Sequence, residues 1–149
     1  MTPPNPTTAP ALLYGQAIPD TAWEGIRKEF GLPTLAQVRT RLTSIHTDPE
    51  PIMRQLVRIF LGDETLCPGY QFTDTLEVKP AVLVLFARAM ELRIAHNYFS
   101  AWMTTPCPDL EGRRPVDLLH DPTPLLLHAL ERFGTSKNTT TKQKVKTWT

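Results

Sequence analysis

The chain has 149 residues, the size of one domain, and a domain of this size hides roughly 68–70% of its unfolded surface without needing covalent staples. Hydrophobic residues make up 41% and charged residues 21%, ordinary globular values that exclude a disordered or fibrous chain. A net charge of +1 argues against general coating of nucleic acid as its whole purpose.

Cys67 and Cys107 allow one disulfide at most and form no Cys-x-x-Cys pair, so a reduced, cytoplasmic chain is the simplest reading. The start, Met1-Thr-Pro-Pro-Asn-Pro-Thr-Thr-Ala-Pro10, lacks the basic flank and apolar stretch of a signal peptide. The longest apolar run, Ala81 to Ala87, is far short of the ~20 residues a bilayer requires. A soluble protein with no membrane partner is expected.

Residues 1–19 carry five of the 15 prolines and no charged side chain, which predicts an extended, flexible arm. A helical region is expected over 20–62. Thr21-Ala-Trp-Glu24 has the capping-box pattern, with Ala22, Trp23, Ile26 and Phe30 at helical spacing and Gly31 as a stop. Thr34-Leu-Ala-Gln37 repeats that pattern ahead of the stripe Leu35, Val38, Leu42 and Ile45. Asp48-Pro49 supplies a third start, and Ile52, Met53, Leu56, Val57 and Phe60 predict a helix reaching Gly62.

Residues 63–79 read as a loop around the turn dipeptide Pro68-Gly69, with a short hairpin between Tyr70–Phe72 and Leu76–Val78. From Pro80 to Met103 the chain is apolar. Val82-Leu-Val-Leu would suit a strand, but Phe86, Met90, Ile94 and Tyr98 share a helical face and predict one central helix about 35 Å long at ~1.5 Å per residue. Pro106 and Pro108 end it, Pro115 opens a short helix through Leu119, and Thr123-Pro124 starts a last one ending at Gly134. Residues 135–149 contain four lysines and no acid, which predicts a flexible basic tail. The expected fold is all-α: a compact bundle of about six helices with a long central helix between an N-terminal arm and a Lys/Thr-rich tail.

The four histidines, His46, His96, His120 and His128, are scattered, with no metal-ligand spacing among them. The glycines are dispersed and form no phosphate loop. No metal, cofactor or catalytic activity is therefore expected. Two helices flanking Gly31-Leu32-Pro33 suit a helix-turn-helix, with Arg39 and Arg41 on the second and Arg27 and Lys28 on the first, so a DNA-binding transcriptional regulator or a phage-type adaptor acting through these helices is the alternative reading, with operator DNA as a possible partner.

The stretch 88–134 is the most distinctive. It reads Arg88-Ala-Met-Glu-Leu92, Ala101-Trp-Met-Thr-Thr-Pro106, Asp109-Leu-Glu-Gly-Arg-Arg-Pro-Val-Asp-Leu-Leu119 and Leu127-His-Ala-Leu-Glu-Arg-Phe-Gly134. It resembles the toxin-binding domain of the Xre/MbcA/ParS antitoxins, in which a helix ends in Trp-Leu-x-x-Pro. A Leu-x-Gly-x-x-Pro-hydrophobic-Asp/Glu-Leu-Leu motif and a closing helix follow. The match covers about a third of the chain, with Met103 where leucine is usual. The resemblance implies a toxin-binding module over 80–134, acting in a toxin-antitoxin system on a cognate toxin encoded by an adjacent gene. By resemblance that toxin is a RES-domain, NAD-depleting one, neutralised by docking over its active site. The N-terminal half departs from the family's usual Xre-type repressor, leaving operator binding and the toxin class open, and a homo-oligomer is compatible with either reading. In the motif, Trp102, Pro106, Leu110, Gly112, Pro115, Leu118 and Leu119 are expected to build the corner, while Arg113, Arg114 and Asp117 are expected to face the partner.

Overall fold

A computed structural model describes the backbone of residues 12–13, 16–120 and 123–148, and the side chains of 18–120 and 123–135. Residues 1–11 of the expected arm lie outside the described residues. The arm's inner part forms a two-stranded antiparallel piece, β1 (Leu12–Leu13) and β2 (Gln16–Ala17), with β1 beside the helix of residues 96–103.

Helix α1 spans Asp20–Phe30. Pro19, not Thr21, occupies its N-cap, and no side chain caps it, so the capping box expected at Thr21-Glu24 does not form. Proline's fixed φ suits the turn into a helix, which leaves Thr21 inside the first turn. Gly31 does stop α1: at φ +86° its N–H is shared between the Ile26 and Arg27 carbonyls, both at 3.1 Å. Helix α2, Leu35–Ile45, begins with a complete capping box. The Thr34 hydroxyl accepts from the Gln37 N–H at 3.1 Å, and Gln37 Oε1 accepts from the Thr34 N–H at 2.9 Å. Val38 and Leu42 are buried, but Ile45, expected on the same stripe, is 55% exposed at the helix end.

Helix α3 is only Glu50–Gln55 and does not reach Gly62. The chain turns extended at Leu56 and makes an antiparallel hairpin, β3 (Ile59–Leu61) and β4 (Glu64–Leu66). Its two-residue turn places Gly62 at φ +59°, as primed hairpin turns require at their first central residue. Gln71 explains why the extended segment can be buried. Its side chain, itself fully buried, accepts from the Val57 N–H at 2.8 Å and donates to the Val57 and Pro68 carbonyls at 2.9 and 3.0 Å. It replaces a neighbouring strand. The hairpin expected between Tyr70–Phe72 and Leu76–Val78 is present as a single bridge, Phe72 with Val78, closed by the Thr73 N–H donating to Glu77 O at 2.7 Å.

The long central helix expected over 80–103 is two helices, α4 (Pro80–Glu91) and α5 (His96–Met103). Arg93 adopts φ +60°, while Ile94 N–H reaches Ala89 O at 2.8 Å and Arg93 N–H reaches Met90 O at 3.1 Å. These are the two bonds of a Schellman stop, with arginine where glycine is usual. The gain is burial of Ile94, fully enclosed just past the stop. The short helix at Pro115 is a 3-10 turn, Pro115–Leu118. Helix α6 begins at Thr123 as expected but runs to Trp148 without stopping at Gly134. No proline or glycine follows Gly134 to break it. Gly134 instead allows close packing, because a Cβ there would sit 3.3 Å from the Leu92 and Ile94 Cδ1 atoms. The expected basic tail thus continues α6.

Among the described residues the fold is six α-helices with small hairpins. Helix α4 packs on α6, α5 on β3, and α1 on the 3-10 turn Gly69–Gln71. One apolar cluster joins Trp23 of α1 to Phe133 of α6, so the 20–62 and 80–134 segments share a core. Cys67 and Cys107 are buried free thiols, and burial pushes Cys67 up to about 11. No described helix is long and apolar enough to cross a membrane.

The hairpin is held to α5 by two side chains. Asn97 Oδ1 accepts from the Phe60 N–H at 2.8 Å and its amide donates to Phe60 O at 2.9 Å, while His96 Nδ1 accepts from the Arg58 N–H at 3.0 Å. That last bond requires an unprotonated Nδ1. Burial, with the nearby Arg58 charge, holds His96 below its ordinary value near 6.5. The unfolded chain then binds more protons than the folded one across that interval. The His96 contribution to stability is complete above about pH 6.5 and is lost as pH falls from there through the lower folded value. Urea unfolding at pH 7.5, 6.5 and 5.5 checks this: a His96→Gln variant should show a flatter pH profile than wild type. Identical slopes would remove His96 as the cause.

Candidate functional site

The motif residues assemble at one corner. Trp102, fully buried at the end of α5, lies between Phe99 (ring centroids 6.1 Å apart) and Phe133 of α6 (6.4 Å, rings 24° apart). Its indole Nε1–H has no hydrogen-bond partner among the described residues. The Thr104 and Thr105 hydroxyls then cap the helix, Thr104 donating to Ser100 O at 3.2 Å and Thr105 to Ala101 O at 2.6 Å. Pro106 follows, exposed.

Beyond it the chain closes a tight loop. Cys107 O accepts from the Leu110 and Gly112 N–H groups at 3.0 and 2.9 Å, and the Cys107 N–H donates to Arg113 O at 3.0 Å. Gly112 makes this possible at φ +81°, a conformation that L side chains resist. Leu110 is buried, as are Pro115, Val116 and Leu118, while Leu119 is partly buried against the core. Asp109 receives the Arg132 Nε–H at 3.0 Å, tying the loop to α6. The corner expected from Trp102, Pro106, Leu110, Gly112, Pro115, Leu118 and Leu119 is therefore one packed unit, with Pro106 on its outside.

The three residues expected to face a partner do not form a free set. Arg114 donates to both Glu29 carboxylate oxygens at 2.8 Å, and to both Asp117 oxygens at 2.8 Å. Its fork is filled, so Arg114 and Asp117 act first within the chain, fastening the 3-10 turn to α1. The Arg114 hydrogen bonds hold Glu29 and Asp117 below the usual carboxylate range, and the two carboxylates raise Arg114 in turn. Arg113 differs. Its Nε–H reaches Leu110 O at 3.1 Å, and its side chain is exposed with no carboxylate partner among the described residues.

Glu29 is the residue that sequence reading missed. It lies 85 positions from Arg114, and no local pattern links them. Together they border an open cleft of about 340 Å3 between α1 and the end of α5, lined also by Gly25, Ile26, Thr105 and Pro106. The cleft places the motif's Thr-Thr-Pro beside the exposed face of α1.

The residues of the DNA alternative also take definite places. Helices α1 and α2 do flank Gly31-Leu32-Pro33, but Arg39 is paired with Glu50 and Arg27 with Glu24 at 3.7 Å. Arg41 is exposed at a different opening, with no carboxylate partner among the described residues. No group of three or more His, Cys, Asp or Glu among the described residues could hold a metal ion. Comparison with protein-family models, curated proteins and solved structures found no match to this chain.

Proposed function

We propose that this chain is an antitoxin-like binding protein without catalytic activity, which neutralises a cognate toxin by docking on it and obstructing its active site. The observation that carries the reading is the corner itself. The motif residues that resemble the antitoxin module pack into one unit, whose surface carries the exposed Arg113 and an open cleft bordered by Thr105, Pro106 and Arg114. Exposed arginines are a common source of interface energy. By the resemblance, the toxin is of the RES-domain, NAD-depleting class. Co-expression with the adjacent gene tests the proposal: copurification and rescue from toxicity are expected, and the absence of both would overturn it.

The arginines separate binding from folding. Arg113→Ala should leave the melting temperature nearly unchanged and cost about 2 kcal/mol in toxin binding, as interface arginines can. Arg114→Ala should instead cost about 1 kcal/mol of stability, the upper end for partly exposed ion pairs once solvent screening is allowed for. Thermal melts and a toxin titration on both variants check this. An Arg113 variant that binds as tightly as wild type would remove the loop from the contact surface.

A further inference from the structure

A second opening, about 800 Å3, lies between α2 and the segment 69–76. No residue of the 101–119 corner lines it. Its walls are largely apolar, with Phe30 and Leu32 at the end of α1, Val38 on α2, and Phe72 and Leu76 on the loop. Arg41 of α2 stands on the same lining.

Two features bear on what this groove takes. The first is charge. Arg41 is exposed on the lining, and none of the residues that line the groove is acidic. An occupant that covered the apolar walls would lie beside this guanidinium, which an acidic group on the occupant would complement. The second is Leu76. It sits at φ +58° in the turn where its N–H donates to Thr73 O at 3.0 Å. Glycine or asparagine takes that conformation far more easily. Leu76 is partly buried, packing on the core while it also lines the groove.

The chain's own ends do not fit. Residues 1–19 carry no charged side chain, and residues 135–149 carry lysines but no acid. Neither can supply a carboxylate side chain to Arg41. We infer that the groove takes a segment of another protein in which an acidic residue is flanked by apolar ones. Its carboxylate meets Arg41, and its apolar side chains pack on Phe72 and Leu76. An open groove with apolar walls and one charged anchor is a common form for peptide recognition. The inference concerns a different surface from the toxin-binding reading and does not depend on it.

The test uses the full chain. A library of random displayed peptides is selected on it, and the enriched peptides are synthesised with a fluorescent label and titrated. Peptides pairing acidic with apolar residues are expected to emerge. Arg41→Glu should weaken them at least about tenfold, while Arg54→Glu, an exposed arginine off the groove, should change affinity less than about twofold. If Arg41→Glu fails to fold, Arg41→Gln supplies the same comparison. Four results would each overturn the inference: no enrichment, enriched peptides lacking acid, equal binding to the Arg41 variant, or equal loss with Arg54→Glu. Enrichment of sequences from this chain's own body would assign the groove to a second copy and also overturn it. Toxin binding should be untouched by Arg41→Glu, so the two surfaces fail or stand separately.

Discussion

Trp102→Ala is expected to lower the free energy of unfolding by about 3–5 kcal/mol, the usual cost of deleting a buried tryptophan ring. Total stability for a domain is commonly about 5–15 kcal/mol, so the variant would sit close to unfolding. The reason lies in what the ring joins. Trp102 ends α5, stacks on Phe133 of α6 and touches Phe99 within its own helix, with none of its surface exposed. Removing it opens a hole where those two helices meet the motif loop, and a core this dense relaxes only partly. The unpartnered indole N–H adds a second, sharper expectation. Trp102→Phe keeps much of the ring and deletes a buried donor that gains nothing where it is, so it should cost far less than Trp102→Ala. Urea unfolding of the two variants measures the difference. Equal losses would mean that the N–H has a partner, such as an ordered water, and that the packing argument overstates the ring. In either case, lost toxin binding by Trp102→Ala reports unfolding, which is why Arg113 is the better probe of the interface.

Helix starts were legible because their chemistry is local. Thr34 with Gln37, Asp48-Pro49 and Thr123-Pro124 each mark a helix start within a few residues of the observed one. The stop at Arg93 was not, because a left-handed arginine leaves no glycine or proline to read. It pays off only through burial of Ile94, a tertiary gain. The β3–β4 hairpin was hidden for a related reason. Leu56 and Val57 are buried as the helical pattern implied, but in extended backbone whose hydrogen bonds go to Gln71 and His96, far along the chain, and Ile59 is buried where Phe60 was expected, Phe60 being exposed. The motif corner was legible in its packing residues and not in its ion cluster. Trp102, Gly112 and Pro115 have roles set by burial or backbone conformation, whereas the role of Arg114 is set by Glu29, which only the folded chain brings near. Gly134 shows the same limit from the other side: a residue that reads as a stop serves as a contact.

Gly69 carries that limit to an expected effect of opposite sign to that at Gly25 on α1. Pro68-Gly69 reads as a turn, and Gly69 does open the 3-10 turn to Gln71, yet its φ is not in the left-handed region. What demands glycine is proximity. A Cβ at residue 69 would lie 2.0 Å from Phe30 O and 2.9 Å from Phe30 C, at the point where the Gly69 N–H donates to Gly31 O at 2.9 Å. Backbone, not a flexible side chain, would have to move, so Gly69→Ala is expected to cost about 3 kcal/mol, the upper end of overpacking losses. The shift would also disturb Gln71, two residues on, whose amide satisfies the extended backbone at Val57. Gly25 is the control, since a Cβ there meets nothing within 4 Å on the exposed side of α1. Gly25→Ala should stabilise the protein by about 0.8–1.0 kcal/mol through helix propensity alone. Thermal melts should therefore move in opposite directions for the same chemical change, by roughly 2–4 °C per kcal/mol in a chain of this size or slightly larger. A melting temperature unchanged by Gly69→Ala would mean that α1 and the 69–71 turn are not in the contact described, and the groove they border would lose its shape with them.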